Sequence, residues 1–350
     1  AMQPLISKRN DRYDWRRKMA TITDIADKLG ISKGTVSKAL NDAPDISETL
    51  RKTILETAVE MGYTKMRRRR SVSKKVCVLI GEGNMEYTSP GHFGYDLIIG
   101  FRKMAEPAGL TVDVVPFTDK LQKSTPYDVF MLENDYIGSF VLGISLNDAW
   151  MKDFRTSHTP AVLFDNDIKG NPAVASVGVD NNEGMELAVE YLKSLGHKKI
   201  GYLSGALGSQ VFLLRHRAFY GALKQNGLSS DPQLSGSSYY ISECIQKHLP
   251  RLLDRGVTAI VCSHDQLANA ALVQLKELGK RVPEELSIIG FDDLPISPYT
   301  DPPLTTIRQD RPKLGKCGYY ALDSLLNDVP IGTILLHSQL VMRGSCGPIQ

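Results

Sequence analysis

Between residues 21 and 41 the chain reads TITDIADKLGISKGTVSKALN, and its polar side chains are of the kinds that contact nucleic acid. Lys33 and Lys38 can donate to base edges or phosphates, and the hydroxyls of Ser32, Thr35 and Ser37 can serve phosphate oxygens or the groove wall. Ser32 is placed to cap a helix in which Val36, Ala39 and Leu40 face inward, leaving Lys33, Thr35, Ser37 and Lys38 outside. Upstream, Thr21 caps a helix with an acid, Asp24, at its third position; Ile22, Ile25, Ala26 and Leu29 recur at helical spacing until Gly30 stops it. Two short helices, a glycine turn and an exposed polar second helix describe a helix-turn-helix, whose second helix enters the major groove. The competing reading, a helical hairpin packed on a core, gives no reason for basic and hydroxyl residues to gather on one face.

A second chemical set lies further along, at the ends of apolar runs. Asp165 follows AVLF, Ser204 and Ser209 follow IGYL, His264 and Asp265 follow AIVC, and Asp292 and Asp293 follow IIGF. Arg215 and Arg217 open the helical segment RHRAFYGALKQNG. Carboxylates that accept from hydroxyls, a forked guanidinium donor and an apolar face are the parts that hold a sugar, and a neutral purine needs similar ones. Asp265 and Asp293 read as caps or salt-bridge partners, whereas Asp165, Arg215 and Asp292 read as ligand contacts. Catalysis is a poor fit. Adjacent Asp292 and Asp293 cannot both point one way from a strand end, and no Ser/His or Cys/His spacing is legible. GEGNM after the first strand lacks the third glycine of a dinucleotide loop, and no phosphate-binding GKS/T follows. No cofactor is expected.

These groups need a frame. From Val76 the texture alternates strand and helix: VCVLIG, then YDLIIGFRKMAEPAG, then LTVDVVP, with SFVLGI, AVLFDN, KIGYLSG, TAIVCSHD and LSIIGFDD repeating the strand motif. That rhythm specifies an α/β fold of parallel sheets covered by helices, in which ligands collect beyond the carboxyl ends of the strands. The all-α N-terminal part closes with SETLRKTILETAVEMG, where Ser47 caps a third helix and Leu50, Ile54, Ala58 and Met61 complete a small core.

The 350 residues carry a net charge of +3, which hides an asymmetry. Residues 1–75 hold 18 Lys and Arg against 9 Asp and Glu, and the remainder 24 against 30, so a basic end is followed by an acidic body. Residues 1–18 are polar and aperiodic and read as a disordered tail, with Met19 a possible start. TKMRRRRSVSKK, with Arg67, Arg68, Arg69 and Arg70 in a row, reads as a hinge that lies along phosphates. No apolar stretch nears the roughly 20 residues of a membrane helix, and the start lacks an export core, so a cytoplasmic protein is expected. Cys77, Cys244, Cys262, Cys317 and Cys346 have no metal spacing and read as free thiols; no metal site is expected.

ITDIADKLGISKGTVSKALN followed by SETLRKTILETAVEMGY is similar to the DNA-binding headpiece of the lactose-repressor/galactose-repressor family. The similarity continues in family order through VGVDNNEGMELAVEYLKSLGHKKIGYLSG, RHRAFYGAL, SHDQLANAAL, ELSIIGFDDLP, PPLTTIRQD and LVMRGS, from Met19 to about Ser345. The resemblance implies a two-lobed periplasmic-binding-protein-like core behind the headpiece: residues 19–64 as DNA-binding domain, 65–75 as hinge and 76–350 as effector-binding and dimerisation core. Lobe 1 would span about 76–178 and 307–336, lobe 2 about 179–305 and 338–350, with crossings near 177–180, 305–307 and 336–339. It further implies a homodimer on a pseudo-palindromic double-stranded operator, released or engaged by a small molecule, most simply a sugar or sugar derivative, bound between the lobes. By the same resemblance Lys33, Gly34 and Lys38 face bases and Thr35 and Ser37 face phosphates or groove walls, with Thr21, Ser32 and Asn41 completing the DNA-facing set. Asp165, Arg215, Asp292 and His264 fall at ligand-contacting positions and Tyr240 at that of a stacking aromatic.

The chain departs from the family pattern in three places. Gly34 puts no side chain where a base is often read. The hinge is shorter by about one helical turn and lacks the Ala-rich segment and wedging leucine, with Met66 as its one apolar candidate. His264 replaces Asn and Arg311 a hydrophobic residue, while Tyr87, His92 and Phe93 line the pocket mouth, which points to an effector larger or more charged than a neutral monosaccharide. No heptad tail for a tetramer follows LVMRGS. An extracytoplasmic solute-binding protein would share the core but need an export signal and no basic headpiece, and a metabolic α/β enzyme would need a catalytic constellation.

Overall fold

The computed structural model describes residues 20–63 and 74–349. The expected tail, Met66 and the arginine run 67–70 lie outside the described residues.

The headpiece has three helices, α1 (Ile22–Leu29), α2 (Lys33–Leu40) and α3 (Glu48–Glu60). Each start is fixed by a hydroxyl: Thr21 forms a reciprocal capping box with Asp24, Ser32 accepts from the Thr35 amide and Ser47 from that of Leu50. Gly30, at φ 65°, closes α1 and turns the chain into α2. Ile25, Ala26, Val36, Ala39, Ile54 and Ala58 form the buried centre. Leu50 and Met61, expected inside, are only partly buried, and Leu55 is covered in their stead.

Two parallel sheets follow. The first lobe contributes β1 (Lys75–Gly81), α4 (Phe93–Ala105), β2 (Thr111–Phe117), α5 (Asp119–Ser124), α6 (Tyr127–Glu133), β3 (Ser139–Leu142), α7 (Trp150–Asp153), β4 (Ala161–Phe164) and β5 (Val174–Val179). The second contributes α8 (Asn181–Ser194), β6 (Ile200–Ser204), α9 (Gln210–Gln225), β7 (Ser235–Ser237), α10 (Ile241–Asp254), β8 (Ala259–Cys262), α11 (Asp265–Glu277), β9 (Ser287–Asp292) and β10 (Thr305–Arg308). The chain then returns for α12 (Arg311–Leu326) and β11 (Thr333–Leu336), and ends with β12 (Gln339–Val341). Strand order is β11-β5-β4-β3-β1-β2 in lobe 1 and β12-β10-β9-β8-β6-β7 in lobe 2. All neighbours are parallel except β12, which runs antiparallel to β10 at the sheet edge. β3, β4, β5, β6, β8 and β9 are buried along their whole length, which is why they read as continuous apolar runs rather than alternating ones.

The chain changes lobe after β5, after β10 and between β11 and β12. The middle crossing lies later than the expected 305–307. Those residues are a buried strand in register with β9, Thr305 opposite Ile289, and the crossing comes at Gln309 and Asp310, where Asp310 caps α12. One apolar cluster runs through both lobes, from Val78 and Phe101 to Phe219 and Phe291, so the crossings are packed into the core. In lobe 1, α4 and α12 lie unusually close. A Cβ at Gly315 would stand 2.1 Å from the Leu97 carbonyl oxygen, and one at Gly100 2.2 Å from that of Pro312, so only glycine permits the approach. Among the described residues no helix is long and apolar enough to cross a membrane.

Candidate DNA-reading face and effector crevice

The outer face of α2 carries the first set. Lys33, Gly34 and Lys38 are exposed, and Thr35 and Ser37 half-buried. Several of these groups already have partners. Ser32 Oγ accepts from the Thr35 amide at 3.0 Å and lies 2.9 Å from its hydroxyl. Asn41 donates through Nδ2 to the Ser37 carbonyl at 2.6 Å. Thr21 is held by Asp24, its amide and hydroxyl each 2.7 Å from Oδ2. Lys38 forms an ion pair with Asp45, whose carboxyl is lowered chiefly by that hydrogen bond. Lys33 and Lys38 therefore present charge on the exposed face of α2, while Thr21, Ser32 and Asn41 shape the helix ends.

The second set meets between the lobes at the carboxyl edges of both sheets. Arg215 is its centre. The side chain is 3% exposed and stacks on the Phe291 ring at 3.8 Å. Its Nε donates to Asn181 Oδ1 at 3.0 Å, and its Nη1 to the Ser263 carbonyl at 2.6 Å and to Asp292 Oδ1 at 3.2 Å. The same Oδ1 accepts from Gln309 Nε2 at 2.6 Å. Among the described residues Arg215 Nη2 and Asp292 Oδ2 have no hydrogen-bond partner. Burial pushes the Asp292 carboxyl up, against the pull of Arg215, Gln309 and Arg311. Gln309 Oε1 and Ser204 Oγ are also buried without a partner.

His264 caps α11 by accepting from the Leu267 amide through Nδ1 at 3.2 Å. Burial, reinforced by Arg215, pushes its ring down to about 3, so it is neutral; with Nδ1 accepting, the proton sits on Nε2. Its ring packs on Phe212 at 5.4 Å. Asp165 follows β4 in a left-handed conformation, φ 55°, and its carboxyl lies over Gly178, where a Cβ would stand 2.8 Å from Oδ1. Burial pushes it up to about 7, with Arg215 opposing and Asp292 adding to the rise. Asp292 and Asp293, at φ 115° and 50°, turn their carboxyls apart. Asp293 goes to Arg308 and Arg343, each at 2.6 Å. Asp265 is wholly buried and accepts from Leu294, Ser297 and Thr306.

Lobe 1 faces this cluster with aromatic rings. Phe93 lies 5.8 Å from Phe164 and 6.2 Å from Tyr87. Arg311 is not spare charge at the pocket mouth. Its Nε donates to Asp96 of α4 at 3.2 Å, and its Nη1 to the carbonyls of Asp292 and Asp293 at 2.9 and 3.0 Å, clasping lobe 1 to lobe 2. Gln210 and Asp167 make a second bridge at 2.9 Å. His92 is an exposed N-cap of α4, and Tyr240, 66% exposed at the start of α10, has its ring contact with Tyr239. These two stand outside the Arg215 cluster. The helix expected to begin at Arg215 begins at Gln210, so Gln210 and Phe212 occupy the N-terminal turn. Asn181, Ser263 and Gln309 were not singled out from sequence. Each follows a strand end, and the rule that found Asp165 would have found Asn181 and Gln309 had β5 and β10 been recognised as strands.

Residues 21–65 match the family described as bacterial regulatory proteins, lacI family, and residues 189–346 match the periplasmic binding protein-like domain. The chain is 30% identical over 335 residues to the HTH-type transcriptional repressor CytR of Escherichia coli (strain K12), covering 93% of this chain and 96% of CytR. The chain belongs to the lacI family. It is a DNA-binding transcription regulator and not an enzyme. The fold agrees with that of the transcriptional regulator CelR in its cellobiose complex, at a TM-score of 0.69 and 22% identity over 93% of this chain and 99% of that one. It agrees also with the lac repressor dimer bound to operator and the anti-inducer ONPF, at 0.65 and 24% over 94% and 99%.

Proposed function

We propose that this lacI-family regulator is a cytoplasmic homodimeric repressor that reads a pseudo-palindromic operator through α2 and senses a neutral, polyhydroxylated ligand, a sugar or sugar derivative, between its lobes. In this reading Lys33 and Lys38 contact bases, Thr35 and Ser37 the backbone, and the arginines at 67–70 phosphates. The observation that carries the effector assignment is the buried Arg215–Asp292 pair, each partner keeping one polar atom unbonded. Vicinal hydroxyls suit that arrangement, because one can accept from Nη2 while its neighbour donates to Oδ2. His264 Nε2–H adds a donor, and Gln309 Oε1 and Asp165 add acceptors. An anion would meet two carboxyls and one guanidinium, with the charge of Arg311 already taken by Asp96. The ring face of the ligand would rest on Phe93 and Phe164.

The likeness in fold to the lac repressor dimer on its operator and to the cellobiose complex of CelR is in keeping with a dimer and a carbohydrate. The test is a thermal-shift screen of neutral sugars, sugar phosphates and nucleosides. A ligand at 100 times its Kd should stabilise the core by about 2.7 kcal/mol. Asp292→Asn should remove that shift while leaving operator binding intact. A shift confined to phosphorylated ligands, or one that survives Asp292→Asn, would overturn the assignment.

A further inference from the structure

The headpiece is seated on lobe 1. Its core cluster includes Val129 and Leu132 of α6, 5% and 3% exposed, alongside Leu55 of α3 at 2%. α6 reads YDVFMLE and is apolar on two faces: Tyr127, Phe130 and Met131 belong to the lobe 1 core, whereas Val129 and Leu132 belong to that of the headpiece. This explains why Leu55 is buried although a three-helix core does not need it. The contact continues at its rim. Glu133 is raised by burial against the attraction of Arg51 and Lys52. Arg51 is held by Asp42 and by the Ala43 carbonyl, and a groove of about 260 Å³ runs between Leu40, Arg51, Leu55, Leu132 and Glu133. The headpiece exit rests on the His158 ring, 3.5 Å from where a Cβ on Gly62 would stand; Asp128 of α6 fixes that loop by accepting from the amides of His158 and Thr159. Lys33, Gly34 and Lys38 stay exposed in this arrangement.

We propose that α6 is a docking face for the chain's own headpiece, and that this docking sets the separation of the two reading helices on DNA. The reading face remains open, so docking is compatible with binding. Each headpiece then moves as a rigid arm of its lobe 1, and a change in lobe orientation reaches α2 through Leu55, Val129 and Leu132. The inference rests on the dimer proposed above.

The test uses the full chain and a duplex selected by it from a random pool, with none, one or two base pairs inserted between the half-sites. Two inserted pairs rotate one half-site by about 70° relative to the other, which rigid arms cannot follow. The wild-type chain should lose at least about tenfold in affinity on that duplex, and Leu132→Lys, with its arms released, less than about threefold. Leu132→Ala, which keeps the helix propensity of α6, covers the case in which the lysine variant fails to fold, and should give an intermediate penalty. General misfolding would weaken binding to every duplex alike and leave the ratio unchanged. Equal spacing penalties in wild type and in a variant that still binds the uninserted duplex as tightly as wild type would overturn the docking. Selection of isolated half-sites would instead overturn the dimer, and the docking role with it.

Discussion

Replacing Asp165 with Asn should stabilise the core, and by more as the pH rises. The carboxyl is pushed up to about 7, chiefly by burial, from an ordinary value near 3.8. Its folded value lies above its unfolded one, so the fold prefers the neutral acid. The wild-type chain therefore loses stability as the pH climbs from about 4, and the loss is complete above about 7. A rise of about three pKa units corresponds to about 4 kcal/mol once both states are ionised, and to less than half of that at pH 5. An amide occupies the same volume over Gly178 and carries no charge to desolvate. Between pH 5 and pH 8 the advantage of Asp165→Asn should grow by about 2–3 kcal/mol, or about 5–10 °C in Tm for a core of this size. Differential scanning fluorimetry of both proteins across that range measures it. A Tm difference that stays flat with pH would refute the claim that a buried, titrating Asp165 is left unpaired in the crevice. The converse should hold for binding: a ligand hydroxyl donating to the ionised carboxylate would lower the Asp165 pKa, so effector binding should release a proton near neutral pH.

Lys38→Ala should weaken binding to the selected operator more than to random duplex, whereas replacing the arginines at 67–70 should weaken both and flatten the salt dependence; equal losses for Lys38→Ala would argue against base reading. Asp45→Asn should raise DNA affinity, most at low salt, because Asp45 competes for the same ammonium group, and filter binding at two ionic strengths checks it. Gly178→Ala would drive a methyl against Asp165 Oδ1 at 2.8 Å and should cost effector affinity on the order of tenfold with operator affinity unchanged, read by titration of each. Arg215→Ala should do more than silence the effector response: it leaves Asp292 buried beside an empty space, at about 3–5 kcal/mol, so the core Tm should fall as well.

The local reading of residues 21–41 succeeded because caps and helical spacing act over three or four residues, and Thr21, Gly30 and Ser32 have short-range partners. The strand-end rule is local in the same way: Asp165, His264 and Asp292 lie at the ends of β4, β8 and β9. What the sequence did not disclose were pairings made across lobes. Arg311 looked like an extra charge for a ligand, but its partners are Asp96, 215 positions away in the chain, and two backbone carbonyls of the other lobe. No spacing encodes such a partner. Leu55 is the sharper instance. Its helix has a sufficient apolar stripe without it, and nothing local to α3 requires a leucine beside Ile54 to be covered. Yet YDVFMLE is apolar on two faces, and a helix of that kind must be covered on both. Two locally unexplained apolar surfaces, one on α3 and one on α6, are each other's explanation. The headpiece thereby gains an attachment to lobe 1 beyond its covalent link.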